Sequence, residues 1–384
     1  MKCIIIILLM TLPKGHVDCP DSLLATFWNI ENFFDWRVDS TSASTSDKEF
    51  SSSGSRHWTR KRFFAKCNAI CKTVLWIADT HGTLPDVIGF AEVENRFVLT
   101  QLLRNTQLSK LDYRIIHYDS PDPRGIDVAL LYRSTRLRLL SSLPIHIRVP
   151  GAADVPEMIG ASPGDSRWEV MKTRDILLAT FEVMRSSCPS QSVPAGSFES
   201  VTDTIAFLVN HHPSKYGGST QGRRIAALNI LRSVTDSLQR AGVRHIVAMG
   251  DFNDTPDNEA FRILTDPPGI LTSPPGGYVA SAEGLVNLSL PLAAKGVGTI
   301  RFEGKWDLID MFFVSRVWNA SWVASGCRME VLEPPFLTVR DAKFSGEKPF
   351  RTYSGPRYIG GVSDHRPILL MLPLPASSSF EGQK

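Results

Sequence analysis

The sequence predicts a mixed α/β sandwich, with helices lying outside two packed β-sheets, and three observations carry that reading. Short apolar runs, among them Leu23 to Ile30, Pro85 to Glu92, Asp127 to Tyr132 and His245 to Met249, have the length and composition of buried strands. Two longer stretches repeat their apolar residues at helical spacing. Several strand-like runs follow one another without a helix between them, which argues against a simple doubly wound parallel sheet. With 384 residues and 43% hydrophobic content the chain can bury a large core, and one domain over residues 20–375 is expected.

Taken in order, Lys2 precedes the apolar run Ile4 to Leu9, and Pro13 closes it. The run is shorter than the roughly 20 residues of a transmembrane helix and suits the core of a secretory signal. Residues 1–19 are therefore expected to be a signal peptide, and the protein to be secreted or periplasmic; a buried N-terminal strand is the competing reading. Val17-Asp18-Cys19 leaves a lipid anchor at Cys19 open. Leu23 to Ile30 is the first strand and delivers Asn29 near its end, and the polar segment Ser40 to Ser55 reads as a mobile surface loop.

From Trp58 to Ala78, residues Phe63, Cys67, Ile70, Cys71 and Val74 form one helical face, with Arg60, Lys61, Arg62, Lys66 and Lys72 largely off it. Val98, Leu99, Leu102 and Leu103 mark the helix after the strand Pro85 to Glu92. Further strands are expected at Asp127 to Tyr132, Ile176 to Val183 and Thr204 to Val209, with Pro150 to Arg167 and Ser186 to Ser200 as surface connections. Gln221 to Ala241 is a second amphipathic helix, ended by Gly242. His245 to Met249, Met311 to Val314 and Ile368 to Leu372 complete the strands, and residues 376–384 read as a flexible tail. The six cysteines are too scattered for a disulfide framework, and Cys67 and Cys71 read as small core residues.

The polar residues that interrupt these runs collect at strand ends. Glu92 ends one strand, where an ionised carboxylate is costly to bury unless it is paired or bound to a cation; capping of the following helix is the plainer reading. A hard cation such as Mg²⁺ keeps water and substrate oxygens among its ligands, and Glu92, Asp364 and the amide oxygen of Asn29 would suit it. Gly250-Asp251-Phe252-Asn253 follows another strand, and Asp251 and Asn253 face one side if the segment stays extended. A cap at Asp254 or Thr255 before Pro256 is expected as well. Asn210-His211 ends a third strand, Asp310 opens a fourth, and Ser363-Asp364-His365 precedes the last. His211 and His365 could serve as base and acid, with Asp310 fixing the His365 tautomer.

The ordered set Trp28-Asn29-Ile30-Glu31-Asn32, Ala91-Glu92-Val93-Glu94-Asn95, Gly125-Ile126-Asp127, Asn210-His211, Gly250-Asp251-Phe252-Asn253, Ile309-Asp310 and Ser363-Asp364-His365 resembles the endonuclease/exonuclease/phosphatase superfamily, in its deoxyribonuclease I-like, secreted bacterial form. The resemblance spans roughly residues 21–373. It implies a four-layer α/β sandwich, two packed mixed β-sheets flanked by helices, with these residues at one edge. It further implies that Asn29, Glu92 and Asp364 hold Mg²⁺ or Mn²⁺, and that His211, Asp251, Asn253, Asp310 and His365 are catalytic. Arg124 and Asn210 would bind substrate. Ala91 stands where the family often has Gln, which removes a hydrogen bond behind the metal site but no ligand. Asn210-His211 stands where abasic endonucleases place Tyr, closer to the deoxyribonuclease and sphingomyelinase branches.

The expected activity is metal-assisted hydrolysis of a phosphodiester, DNA or RNA being the first substrates to consider. A phosphatase, a sphingomyelinase-like phospholipase and a silent binding protein of the same fold are the alternatives. A formal net charge of +3 excludes a global polycation, so attraction for phosphate must be local. Arg56 to Arg62, Arg133 to Arg138 and Arg223-Arg224 could line a polyanion groove or simply be solvated, and Trp318 and Trp322 could face lipid or pack under a loop. No stable protein partner is expected, and membrane association only if the chain is lipidated or hydrolyses lipid. Asn-x-Ser/Thr sequons occur at Asn253, Asn287 and Asn319, and a glycan at the first would contradict its place in a site.

Overall fold

Alternation along strand β1, Ser22–Phe33, sets the layers of the molecule. Leu23, Ala25 and Phe27 point into an apolar core between two sheets, while Trp28 and Ile30 point into a second core under helices. A strand buried on both faces must be apolar nearly throughout, which is why these segments read as continuous hydrophobic runs. The computed structural model describes residues 22–38, 48–150, 168–186, 198–215, 220–266, 284–316 and 327–373. The expected signal peptide with Cys19, nearly all of both surface connections, the Trp318 and Trp322 segment with the Asn319 sequon, and the tail lie outside the described residues.

The first sheet contains β1, β2 (Val87–Val93), β3 (Tyr113–His117), β4 (Asp127–Arg133) and two strands from the end of the chain. The second contains β5 (Leu137–Ile145), β6 (Ile176–Ser186), β7 (Phe198–His211), β8 (His245–Asp251), β9 (Leu285–Asn287) and β10 (Asp310–Ser315). The late strands β11 (Arg328–Val331) and β12 (Ile368–Pro373) return to the first sheet. The orders are β11-β12-β1-β2-β4-β3 and β9-β10-β8-β7-β6-β5, six strands in each.

Each sheet has a central parallel pair, β1 with β2 and β7 with β8, and antiparallel neighbours on both sides. A parallel pair needs a crossover, and helices supply it. Helix α1 (Arg60–His81) joins β1 to β2; Thr59 caps its start and Gly82, at φ 73°, closes it in the left-handed region. Helix α3 (Gln221–Arg240) joins β7 to β8, and α2 (Arg96–Arg104) covers the first sheet beside α1. Asn95 caps α2 by accepting from the Val98 amide, so Glu92 is left for another task.

Two expectations change here. Phe50 stacks on Phe34 at 4.7 Å and Ser51 is buried, so the described end of the Ser40 to Ser55 segment is pinned to the core rather than mobile. Lys66, placed off the apolar face of α1 by periodicity, is buried, because its ammonium reaches the end of β1. Cys67 and Cys71 are buried free thiols, as small core residues should be.

The β7–β8 pair is tightest at Gly250, which stands opposite Asn210. A Cβ on Gly250 would lie 2.3 Å from the Asn210 carbonyl oxygen, a backbone atom that cannot swing aside. Gly250→Ala is expected to lower the unfolding free energy by about 2 kcal/mol or more. Urea unfolding would show it, and an unchanged midpoint would contradict this account of the strand pair.

Candidate active site

The parallel pair β1–β2 ends in two breaks of register, after Asn29 and around Glu92. Glu31, Asn32 and Glu92 have φ of 44°, 53° and 61°, conformations that cost a non-glycine residue energy and concentrate at functional sites. The breaks turn the carboxylates toward one edge. There the Asn32 amide donates to Glu92 Oε2 at 2.8 Å, and the Glu31 amide donates to Asn29 Oδ1 at 3.0 Å.

The second sheet brings three residues to the same edge by register alone. His211 pairs with Asp251 across β7 and β8, and Asp251 pairs with Asp310 across β8 and β10. Two contacts then cross between the sheets. Asn29 Nδ2 donates to Asp251 Oδ2 at 3.1 Å, and His365 Nδ1 lies 2.7 Å from Asp310 Oδ2. Ser363 fixes the approach to β12, since its hydroxyl donates to the Asn29 carbonyl and accepts from the His365 amide. The Trp28 indole donates to the His365 carbonyl.

Asp251 Oδ2 is the hub of this arrangement. It faces His211 Nε2 at 3.6 Å and His365 Nε2 at 3.9 Å. Burial, and then repulsion from Asp310, push the Asp251 carboxyl up to about 7. The two imidazoles are driven apart. Burial, Arg174 and Arg124 hold His211 well below its ordinary value; burial also opposes charge on His365, but Asp310, Asp251 and Asp364 outweigh it and raise that ring well above. Near neutral pH His211 is a neutral ring and His365 an imidazolium. Environments that separate like groups in this way are the mark of acid and base roles.

Asp364 lies on the first-sheet side, where Arg351 Nη2 bridges Asp364 Oδ2 at 2.8 Å and Glu31 Oε1 at 2.9 Å. Glu31 also takes the Thr352 amide, and its carboxyl is raised to about 7 by burial and then by Asp364. Lys66 donates to the Glu31 carbonyl and the Thr352 hydroxyl, and burial lowers its ammonium to about 8. Buried Arg174 spans Asp122 and the carbonyls of His211 and His212. Glu31, Lys66, Arg174 and Arg351 are not legible as site residues from composition or spacing. Only Glu31 had a signal, its place two residues after Asn29 on one strand.

Other expected residues take different places. Asn253 is not extended: at φ 52° its amide donates to Asp251 Oδ1 and its side chain to the His212 carbonyl. It braces Asp251 rather than standing in line with it, and its side-chain nitrogen is engaged at the sequon. Asn210 is fully buried and gives its side-chain amide to the Leu208 and Met249 carbonyls, which ties β7 to β8. Arg124 sits on the β3–β4 loop beside Asp122, a loop held by Asp127 through Ser120 and His117. No cap forms at Asp254 or Thr255, because Asp254 pairs with Lys215 and Arg224, and Asn258 caps the short turn that follows. In the cluster Arg133 to Arg138, Arg133 and Arg136 face Asp86 and Arg138 pairs with Glu182, so it is a structural network and not a groove.

Two groups here offer ligand atoms to a cation. Asp251, Asp310 and His365 lie close enough for one ion, but His365 Nδ1 and Asp310 Oδ2 already engage each other at 2.7 Å. Glu31, Glu92, Asp364 and Asn29 Oδ1 present oxygen alone, at the turned ends of β1 and β2 and beside Arg351. An oxygen set of this kind fits a hard divalent ion.

Residues 24–158 and 168–373 match the model of the Endonuclease/Exonuclease/phosphatase family. No curated protein matches the chain by sequence. Among solved structures, a Bacteroides thetaiotaomicron mannosyl-6-phosphatase is 13% identical at a TM-score of 0.47, covering 91% of this chain and 98% of its own. The human Nocturnin catalytic domain with bound sulfate is 16% identical at 0.47, covering 92% and 95%. D. rerio TDP2 complexed with a single-strand DNA product is 13% identical at 0.44, covering 91% and 98%.

Behind His211, His212 is buried with both ring nitrogens lacking a hydrogen bond, and burial, Arg174 and Arg224 push it down to about 3. A ring held neutral when folded takes up its proton on unfolding, so the unfolded state binds more protons between about 3 and 6.5. Stability should fall as pH drops through that window, by up to about 1.4 kcal/mol per pH unit for this group. His212→Asn should flatten the acid limb of unfolding free energy against pH; an identical slope would show that the ring is not held neutral.

Proposed function

We propose that this chain, which belongs to the endonuclease/exonuclease/phosphatase family, is a divalent-metal-dependent phosphoesterase that hydrolyses phosphodiester bonds, with nucleic acid as its first candidate substrate. One observation supports this above the rest: Asp251 Oδ2 is held by Asn29 between the His211 and His365 imidazoles, at the edge where Glu31, Glu92 and Asp364 also lie.

In this reading Asn29, Glu31, Glu92 and Asp364 hold Mg²⁺ or Mn²⁺. When bound, the ion neutralises charge on the phosphoryl and leaving oxygens. Asp251 Oδ2 takes the proton of the attacking water, a task suited to a carboxyl raised to about 7. His365 Nε2–H donates to a phosphoryl oxygen as negative charge grows, with Asp310 holding Nδ1–H and keeping the ring charged; the P–O bond to the leaving oxygen breaks as the bond to water forms, and the leaving oxygen takes its proton from water. His211 Nε2–H supplies a second, neutral donor, and Asn253 keeps Asp251 in place through its amide. Arg124 attracts the anionic substrate from the rim.

His365→Ala should lower turnover by about 10²- to 10³-fold without unfolding the chain, the range set by loss of one donor to developing charge. Residual activity near the wild-type level would remove its assigned role. Glu92→Gln should shift the Mg²⁺ titration of activity to higher concentration, and an unmoved curve would take Glu92 out of the ligand set. The reaction itself is tested by nicking of supercoiled plasmid with Mg²⁺ or Mn²⁺ against EDTA, using His365→Ala as the contaminant control. Nicking that needs metal and is lost in the variant is expected. No nicking by folded, metal-loaded protein would contradict the nuclease reading and turn attention to lipid and small-molecule phosphate esters.

A further inference from the structure

Arg351 does more than neutralise two acids. It stands at the base of the segment Phe350 to Val362, whose backbone is fixed at both ends: Phe350 donates to Leu337, Val362 to Phe350 and Gly361 to Arg351. A Cβ on Gly361 would come within 1.9 Å of the Phe350 carbonyl oxygen, so the two ends run as close as backbones can. Thr352, the next residue, gives its amide to Glu31 and its hydroxyl takes Lys66. The guanidinium is thus aimed by a rigid frame. Nε and Nη2 both donate to Glu31 Oε1, and Nη2 also reaches Asp364, while 48% of the side chain stays exposed.

A buried cation is already present at this place. Lys66 meets the turned end of β1 from the core, at the Glu31 carbonyl, whereas Arg351 meets the Glu31 carboxylate from the solvent side, with half of its side chain left open to an anion. A planar fork with donors facing water suits an anionic phosphate oxygen better than a point charge does.

We propose that Arg351 is a substrate-binding residue that receives an anionic oxygen of the substrate phosphate once a divalent cation shares Glu31 and Asp364 with it. This rests on the phosphoesterase reading above and adds a residue that its ligand and proton-transfer roles do not include.

The test is calorimetric and needs no turnover. Mg²⁺ binding, and then inorganic phosphate binding at saturating Mg²⁺, are measured for the wild type, Arg351→Ala and Arg351→Lys, each first checked for an unchanged thermal transition. Arg351→Ala should weaken phosphate at least about tenfold, the worth of one charge-assisted hydrogen bond, and leave Mg²⁺ binding equal or tighter. Arg351→Lys should recover part of the loss. Unchanged phosphate affinity in Arg351→Ala would overturn the inference, and so would a parallel loss of Mg²⁺, which would make Arg351 a support for the carboxylates. A variant that no longer folds would overturn it too, by making the residue structural. Wild-type protein that binds no Mg²⁺ would instead contradict the phosphoesterase reading.

Discussion

The site exists only because two β-sheets are held in one relative position at one edge. The Asn29–Asp251 hydrogen bond and the Asp310–His365 pair each have one partner in, or leading into, the first sheet and one in the second. Neither could form if the sheets slid by a residue, since a displacement of about 3.3 Å along a strand is larger than the reach of a hydrogen bond allows. The apolar core between the sheets prevents that shift. Phe27, Phe181, Phe207 and Phe312 are buried there with little or no exposure, and close packing of large rings resists sliding. Packing therefore supplies the geometry, and the polar edge depends on it.

Charges concentrated at that edge carry a cost that packing must meet. Glu31 and Glu92 occupy left-handed backbone conformations, and Glu31, Lys66, Asp251 and Asp310 are buried. Unpaired charges in such surroundings would be prohibitive, so each is tied to a partner: Glu31 to Arg351 and Thr352, Asp251 to Asn29 and Asn253, Asp310 to His365. The partners do not cancel every strain. Burial raises Asp251 and Glu31 to about 7, with Asp310 adding to the first and Asp364 to the second. Carboxyls poised near neutrality are suited to move a proton or to welcome a cation.

Much of this was legible in the sequence, for physical reasons. Strands buried on both faces leave unbroken apolar runs, and a polar residue ending such a run has nowhere to go but the sheet edge. Asn29, Glu92, His211, Asp251, Asp310 and His365 could be picked out on that ground. What could not be read came from long-range geometry. Lys66 looked solvated because helical periodicity carries no information about a strand end that curls over the helix. Arg351 lies in a loop whose path is set by backbone contacts with Leu337 and Val362. Asn253 was expected in an extended segment, yet the turn after Asp251 places it in the left-handed region and gives it a bracing part. Strands β3 and β5 were also missed, since their half-exposed faces dilute the apolar signal.

The pair that joins the sheets at the last motif is the centre of this account, and a double-mutant cycle on phosphodiester turnover tests it most directly. Asp310→Asn, His365→Ala and the combined variant would be compared with the wild type under saturating Mg²⁺. If Asp310 acts by holding and charging His365, the combined variant should be no slower than His365→Ala alone, because residues that act as a unit lose their effect together. Losses that multiply would mean that the two residues act independently, and the cross-sheet pair would not be the catalytic unit.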